Sequence, residues 1–79
     1  MNKNKYYQEG FLISYLGHKL GECVTTTKDS ITFLYNDEYA LDITSNYVLI
    51  NESLFNDNIT LLYEILGYLS YHNFKFQIN

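Results

Sequence analysis

The chain has 79 residues, nine acids against five lysines, no arginine and a formal net charge of −4. At this length only about 60% of the unfolded surface is buried on folding, so the sequence predicts a single domain over 1–79 with a thin stability margin. One cysteine excludes an internal disulfide, no run approaches the ~18 apolar residues of a membrane span, and an acidic, arginine-free chain argues against direct nucleic-acid binding.

Met1 to Lys5 is mildly basic, but no apolar h-region or small-residue cleavage site follows, so no signal peptide is expected. The lone thiol fits a reducing cytoplasm. Residues 5–20 read as a helix. Leu12, Leu16 and Leu20 recur at helical spacing with Ile13 beside them, and Gly21 stands where a glycine ends a helix. Gly10, Ser14, Gly17 and Gly21 form a second, small-residue stripe, read as serving packing and capping. A strand at 11–16 is the competing assignment.

Residues 22–51 read as a four-stranded antiparallel meander, with segments Glu22–Thr27, Ser30–Tyr35, Tyr39–Thr44 and Tyr47–Asn51. Each is rich in β-branched or aromatic residues and bounded by polar turns. Two-residue turns at Lys28-Asp29 and Ser45-Asn46 and a three-residue turn at Asn36-Asp37-Glu38 define the register. It pairs Val24 with Phe33, Tyr35 with Tyr39, Phe33 with Leu41, Leu41 with Ile50 and Ile43 with Val48. Tyr39 then falls on the apolar face, and Ala40, Asp42 and Leu49 on the other. A second helix is predicted over 58–72, capped by Asp57 or Asn58 and ended by Asn73. Its buried stripe is Ile59, Leu62, Leu66 and Leu69, with Ile65 alongside; Thr60, Glu64, Gly67 and Tyr71 form the wetter stripe. Residues 74–78 alternate as a short last strand. The expected class is α+β: a two-layer domain with an N-terminal helix, the meander, a second helix and a short C-terminal strand.

No motif of catalysis or cofactor binding emerges, so an enzyme is not expected, nor a cofactor or metal. His18 and His72 lack metal-ligand spacing to each other or to Cys23, Glu22 or Glu64. Cys23 has only Lys19 and Lys28 as nearby cations and reads as a small strand residue. Asp37 and Glu38 are adjacent but fall at a predicted turn, where exposed carboxylates keep ordinary pKa values. No glycine-rich phosphate loop is present.

The distinctive feature is the distribution of charge. From Asp29 through Phe74 there are seven acids and no lysine, whereas the first 28 residues carry four lysines against two acids. The acids Asp37, Glu38, Asp42, Glu52, Asp57 and Glu64 form a candidate partner-binding face, with Tyr39, Tyr47, Tyr68 and Tyr71 as aromatic anchors. The competing reading is that these acids only keep a Tyr- and Phe-rich protein soluble.

Codon bias adds a hint of origin. Phe, Tyr, Ile, Asn and Lys far outnumber Gly, Ala, Arg and Pro, as in AT-rich bacteria and their phages. In size and composition, though by no motif, the chain resembles anti-CRISPR and similar anti-host proteins. That resemblance implies an inhibitor or modulator in the host cytoplasm. It would occupy the basic groove of a host or defence protein that handles nucleic acid, with carboxylates standing in for phosphates. The alternative is an assembly protein forming a homodimer or larger homo-oligomer through exposed Tyr and Leu positions or edge strands.

Overall fold

The computed structural model describes the backbone of residues 5–21, 23–27 and 29–79, with side chains throughout except at 23–27. Expectations resting on the first four residues, on Glu22 and Lys28, or on the side chains of Cys23 to Thr27 lie outside the described residues.

The class is α+β, and the elements follow the expected order. A 3₁₀ turn, Tyr6–Gln8, leads into α1, Gly10–Leu20. The predicted single helix over 5–20 is broken by Glu9, whose extended backbone (φ −79°, ψ 102°) separates the two pieces. Gly10 is therefore the first residue of α1 rather than an interior one. Gly21 ends the helix with φ +95°, a conformation that favours glycine, and its N–H donates to the Gly17 carbonyl at 2.8 Å. Leu12 and Leu16 are buried as predicted. The small-residue stripe does not pack: among the described residues nothing lies within 4 Å of a Cβ added at Gly10 or Gly17.

Four strands follow: β1 (Cys23–Thr27), β2 (Ser30–Tyr35), β3 (Glu38–Ile43) and β4 (Val48–Ile50). They pair in sequence order, each antiparallel to the last. The Ser45-Asn46 turn sets Ile43 against Val48 and Leu41 against Ile50, as the hydrophobic pattern required. The other two turns depart from expectation. Asn36 and Asp37 both hold positive φ (54° and 65°), the signature of a tight two-residue hairpin turn, which pairs Tyr35 with Glu38 and Leu34 with Tyr39. Phe33 still faces Leu41, so Ala40 is an extra residue, accommodated as a β-bulge. The bulge turns Tyr39 outward, 66% exposed, and buries Ala40, reversing the predicted placement of both. A second irregularity between Thr25 and Thr27 sets Cys23, not Val24, opposite Phe33.

After β4 a 3₁₀ turn, Glu52–Phe55, leads to α2, Ile59–Tyr71. Asn58 caps it, its side-chain oxygen accepting from the Leu61 N–H at 3.2 Å. Asn73 ends it with φ 63°. The Phe74 N–H returns to the Leu69 carbonyl and the Asn73 N–H to the Ser70 carbonyl, a Schellman motif whose Phe74 and Leu69 are both buried in the core. The last strand, β5 (Phe76–Ile78), runs parallel to β4, so the sheet is mixed. The reason is topological. A helix laid across the sheet between two neighbouring strands returns the chain to the end where the first began, and α2 is that crossover.

The core unites Leu12 and Leu16 of α1, the inner sheet residues Phe33, Leu41, Ile43, Val48 and Ile50, and Leu61, Leu62, Ile65 and Leu69 of α2. The stripe of α2 is rotated from the predicted one: Leu61 is buried, Leu66 half-buried, and Ile59 is 41% exposed. The cause is α1, which lies antiparallel beside α2. Phe11 meets His72 (5.3 Å between centroids), Tyr15 stacks on Tyr68 (3.6 Å), and Lys19 bonds Glu64 (2.9 Å). This cross-ladder covers the flank of α2 that carries Leu61 and leaves the opposite flank open.

Candidate acidic recognition surface

The outer face of the sheet, away from both helices, carries a row set by the register: Thr32, Asp42, Leu49 and Gln77 on successive strands. Thr32 is buried, and its hydroxyl donates to Asp42 Oδ1 at 2.9 Å, which fixes the orientation of a half-buried carboxylate. An open cleft of about 220 Å³ lies over this row, lined by Thr32, Tyr39, Asp42, Leu49, Asn51 and Asn79. A second recess adjoins it, lined by Leu34, Asp37, Glu38 and Tyr39. Tyr39 borders both. An exposed aromatic thus stands between the two hairpin carboxylates on one side and the oriented Asp42 on the other.

Two further acids lie at the same end of the sheet. Asp57 accepts a long hydrogen bond from the Tyr35 hydroxyl (3.4 Å), and Tyr35 is the last strand residue before the hairpin turn. Glu52 follows Asn51, whose N–H binds the carbonyl of the bulge residue Ala40. Asp37, Glu38, Glu52 and Asp57 are all exposed. Two of the described lysines, Lys75 and Lys5, sit at the opposite end of the sheet. The Lys75 carbonyl accepts from the Val48 N–H at the start of β4. Lys5 precedes Tyr6, whose N–H binds the Ser45 carbonyl in the β3–β4 turn. Four acids thus gather at the hairpin end, while Asp29, in the β1–β2 turn, lies at the end of Lys5 and Lys75, and Lys19 precedes Leu20, which lines a recess with Asn36 and Asp37.

Four of the predicted site residues fall elsewhere. Glu64 projects toward α1 and is bound by Lys19, whose pKa this hydrogen bond raises. Tyr68 stacks on Tyr15, and burial raises the pKa of both phenols. Tyr47, 40% exposed, stands at the β3–β4 turn, at the lysine end. Tyr71 is 82% exposed but lies on the outward side of α2, across the molecule from the cleft. Leu34, Leu49 and Asn51, which complete the recesses, were absent from the sequence-based site. Leu49 lies across from Asp42 in the β3–β4 register that the sequence already implied, whereas Leu34 across from Tyr39 and Asn51 bonded to Ala40 depend on the hairpin turn and its bulge.

Among the described residues no group of three or more His, Cys, Asp or Glu is placed to hold a metal ion. His18 is exposed on α1, and His72 sits at the C-cap of α2 among Phe11, Tyr68, Tyr71 and Phe74. No helix among the described residues is long and apolar enough to cross a membrane. Compared with family models, curated proteins and solved structures, the chain matches none.

Proposed function

We propose that this protein is a binding protein rather than an enzyme, an inhibitor or modulator that seats its acidic sheet end in a basic groove of a nucleic-acid-handling protein. The observation that carries this reading is Tyr39. It is 66% exposed on the outer sheet face, between the recess of Asp37 and Glu38 and the cleft of Asp42. A rigid, amphipathic ring surrounded by carboxylates is the composition of an interface anchor beside charge that steers a cationic partner. The carboxylates would stand in for phosphates, and the small size and AT-rich residue usage suit a phage or mobile-element origin with action in the host cytoplasm.

The test is affinity capture from a bacterial host lysate in low and high salt. It compares the native chain with the triple variant Asp37→Asn, Glu38→Gln, Asp42→Asn and identifies captured proteins by mass spectrometry. A nucleic-acid-binding protein should be retained at low salt, released at high salt and lost with the triple variant, and the captured protein should lose its hold on nucleic acid when the native chain is added. Capture that is indifferent to the triple change would refute this surface as the binding site.

A further inference from the structure

The outward side of α2 has a chemistry opposite to that of the sheet. Ile59, Tyr63, Gly67 and Tyr71 follow one another at four-residue spacing and so form a single ridge along the helix. Ile59 is 41% exposed, Tyr63 65% and Tyr71 82%; Gly67 is exposed, and nothing lies within 4 Å of a Cβ built on it. The neighbours Thr60 and Ser70 are uncharged. The one formal charge on α2, Glu64, is engaged by Lys19 on the flank facing α1. Exposed helix faces are ordinarily covered with charged side chains; this one presents two tyrosines, an isoleucine and a glycine gap.

We infer that this ridge is the contact between two copies of the chain, packed about a two-fold axis passing near Gly67. Three arguments select a second copy. The first is charge. Each molecule carries a net −4, and the α2 ridge is a place where two copies meet without setting acid against acid. Among the described residues the ridge itself carries neither a carboxylate to draw a basic partner nor a lysine to draw an anionic lipid surface, and the nearest charge on α2, the half-exposed Glu64, is paired with Lys19. The second is shape. A two-fold contact must be self-complementary, and a ridge with large residues on both sides of a glycine lets an identical ridge cross it closely at the gap.

The third argument is area. A full aromatic side chain presents roughly 200 Å², so Tyr63, Tyr71 and Ile59 offer roughly 350 Å² per copy at their observed exposures. With Thr60, Gly67 and Ser70 beside them, two copies bury on the order of 1,000 Å², the small end of specific interfaces. An area of this size suits a weak, reversible dimer rather than an obligate one. The inference rests on α2 alone and stands or falls independently of the acidic surface.

Sedimentation equilibrium of the full chain from about 5 μM to 500 μM, at low and high salt, tests it. The expected result is a monomer–dimer equilibrium that is no weaker at high salt, because salt screens the repulsion between like-charged copies. Tyr71→Asp and Gly67→Arg should each raise the dissociation constant at least tenfold while circular dichroism remains native. Tyr39→Ser on the sheet should leave it unchanged. Should either α2 variant misfold, Tyr63→Ser with Tyr71→Ser gives the same readout without introducing a charge. A strict monomer at 500 μM overturns the inference, whether or not the ridge then binds lipid vesicles or another protein. So does a dimer that is indifferent to all the α2 variants or is lost with Tyr39→Ser.

Discussion

The outer sheet face and the outward side of α2 are both exposed and both carry tyrosine, yet they differ in what surrounds the ring. Tyr39 stands among Asp37, Glu38 and Asp42; Tyr63 and Tyr71 stand beside Gly67, Thr60 and Ser70. Between exposed charges the interaction is screened beyond about 8–10 Å at physiological salt, so recognition through the sheet is salt-sensitive and depends on the partner's cations. Burial of uncharged aromatic surface scales with area and is not screened. An exposed tyrosine therefore does not by itself define a binding mode. The register of charged residues around it does, and here that register separates the two surfaces onto opposite sides of one small molecule.

Damage to the acidic end alone has the largest expected effect. Phe55 is fully buried and stacks on Tyr35 at 5.1 Å, the residue whose hydroxyl reaches Asp57. Phe55→Ala should lower unfolding stability by about 3–5 kcal/mol, measured by urea denaturation, because it opens a cavity beneath the hairpin end. A loss below about 1 kcal/mol would show that this end is not braced by the core.

On α2 the expected change has the opposite sign. Gly67 lies inside a helix with open space around it, so Gly67→Ala should raise the stability of the monomer by about 0.5–1 kcal/mol, read in dilute solution by thermal unfolding. A destabilised monomer would mean that the glycine serves the fold rather than a surface.

The smallest effect is confined to the helix pair. Lys19 titrates above its ordinary 10.5, raised by the hydrogen bond with Glu64, and Tyr15 and Tyr68 titrate above their ordinary 10.0 through burial. In each case the folded state holds its proton more tightly than the unfolded state. The contribution is thus complete below the unfolded values, and stability declines as pH rises through the raised ones. Unfolding followed from pH 8 to 11 should show a decline confined to the region above about pH 10. Tyr15→Phe, which keeps the ring on Tyr68 and removes the phenol, should make that decline shallower.

The sequence made much of the fold legible because alternation and helical spacing report burial directly. The β3–β4 register, the Asn58 cap, the Asn73 terminus and the inner residues Phe33, Leu41, Ile43, Val48 and Ile50 all follow from them. The errors arose where local backbone geometry or a tertiary neighbour decides. Asn36-Asp37 tolerates left-handed backbone, so the hairpin turns in two residues and the spare one becomes the Ala40 bulge. That single event moved Tyr39 from the predicted core face to the surface. Packing by α1 rotated the buried stripe of α2 toward Leu61, and Ile59 was left outside. Phe55 sits in a 3₁₀ turn, where no periodicity marks a buried residue. The acidic segment was visible as composition. That Glu64 leaves it for Lys19, while Asp37, Glu38, Glu52 and Asp57 converge on one end, depends on contacts between residues far apart in the chain.

The central claim is that the sheet end binds through its carboxylates. Its most direct test is calorimetric titration of a captured target at several salt concentrations, with the native chain, the Asp37/Glu38/Asp42 triple variant and a Tyr63→Ser, Tyr71→Ser variant. The account predicts an affinity that falls steeply with salt for the native chain. For the triple variant it predicts an affinity at least tenfold weaker at low salt, with a shallower slope. The α2 variant should be unchanged per protomer. A triple variant that keeps both the affinity and the salt slope of the native chain would contradict it.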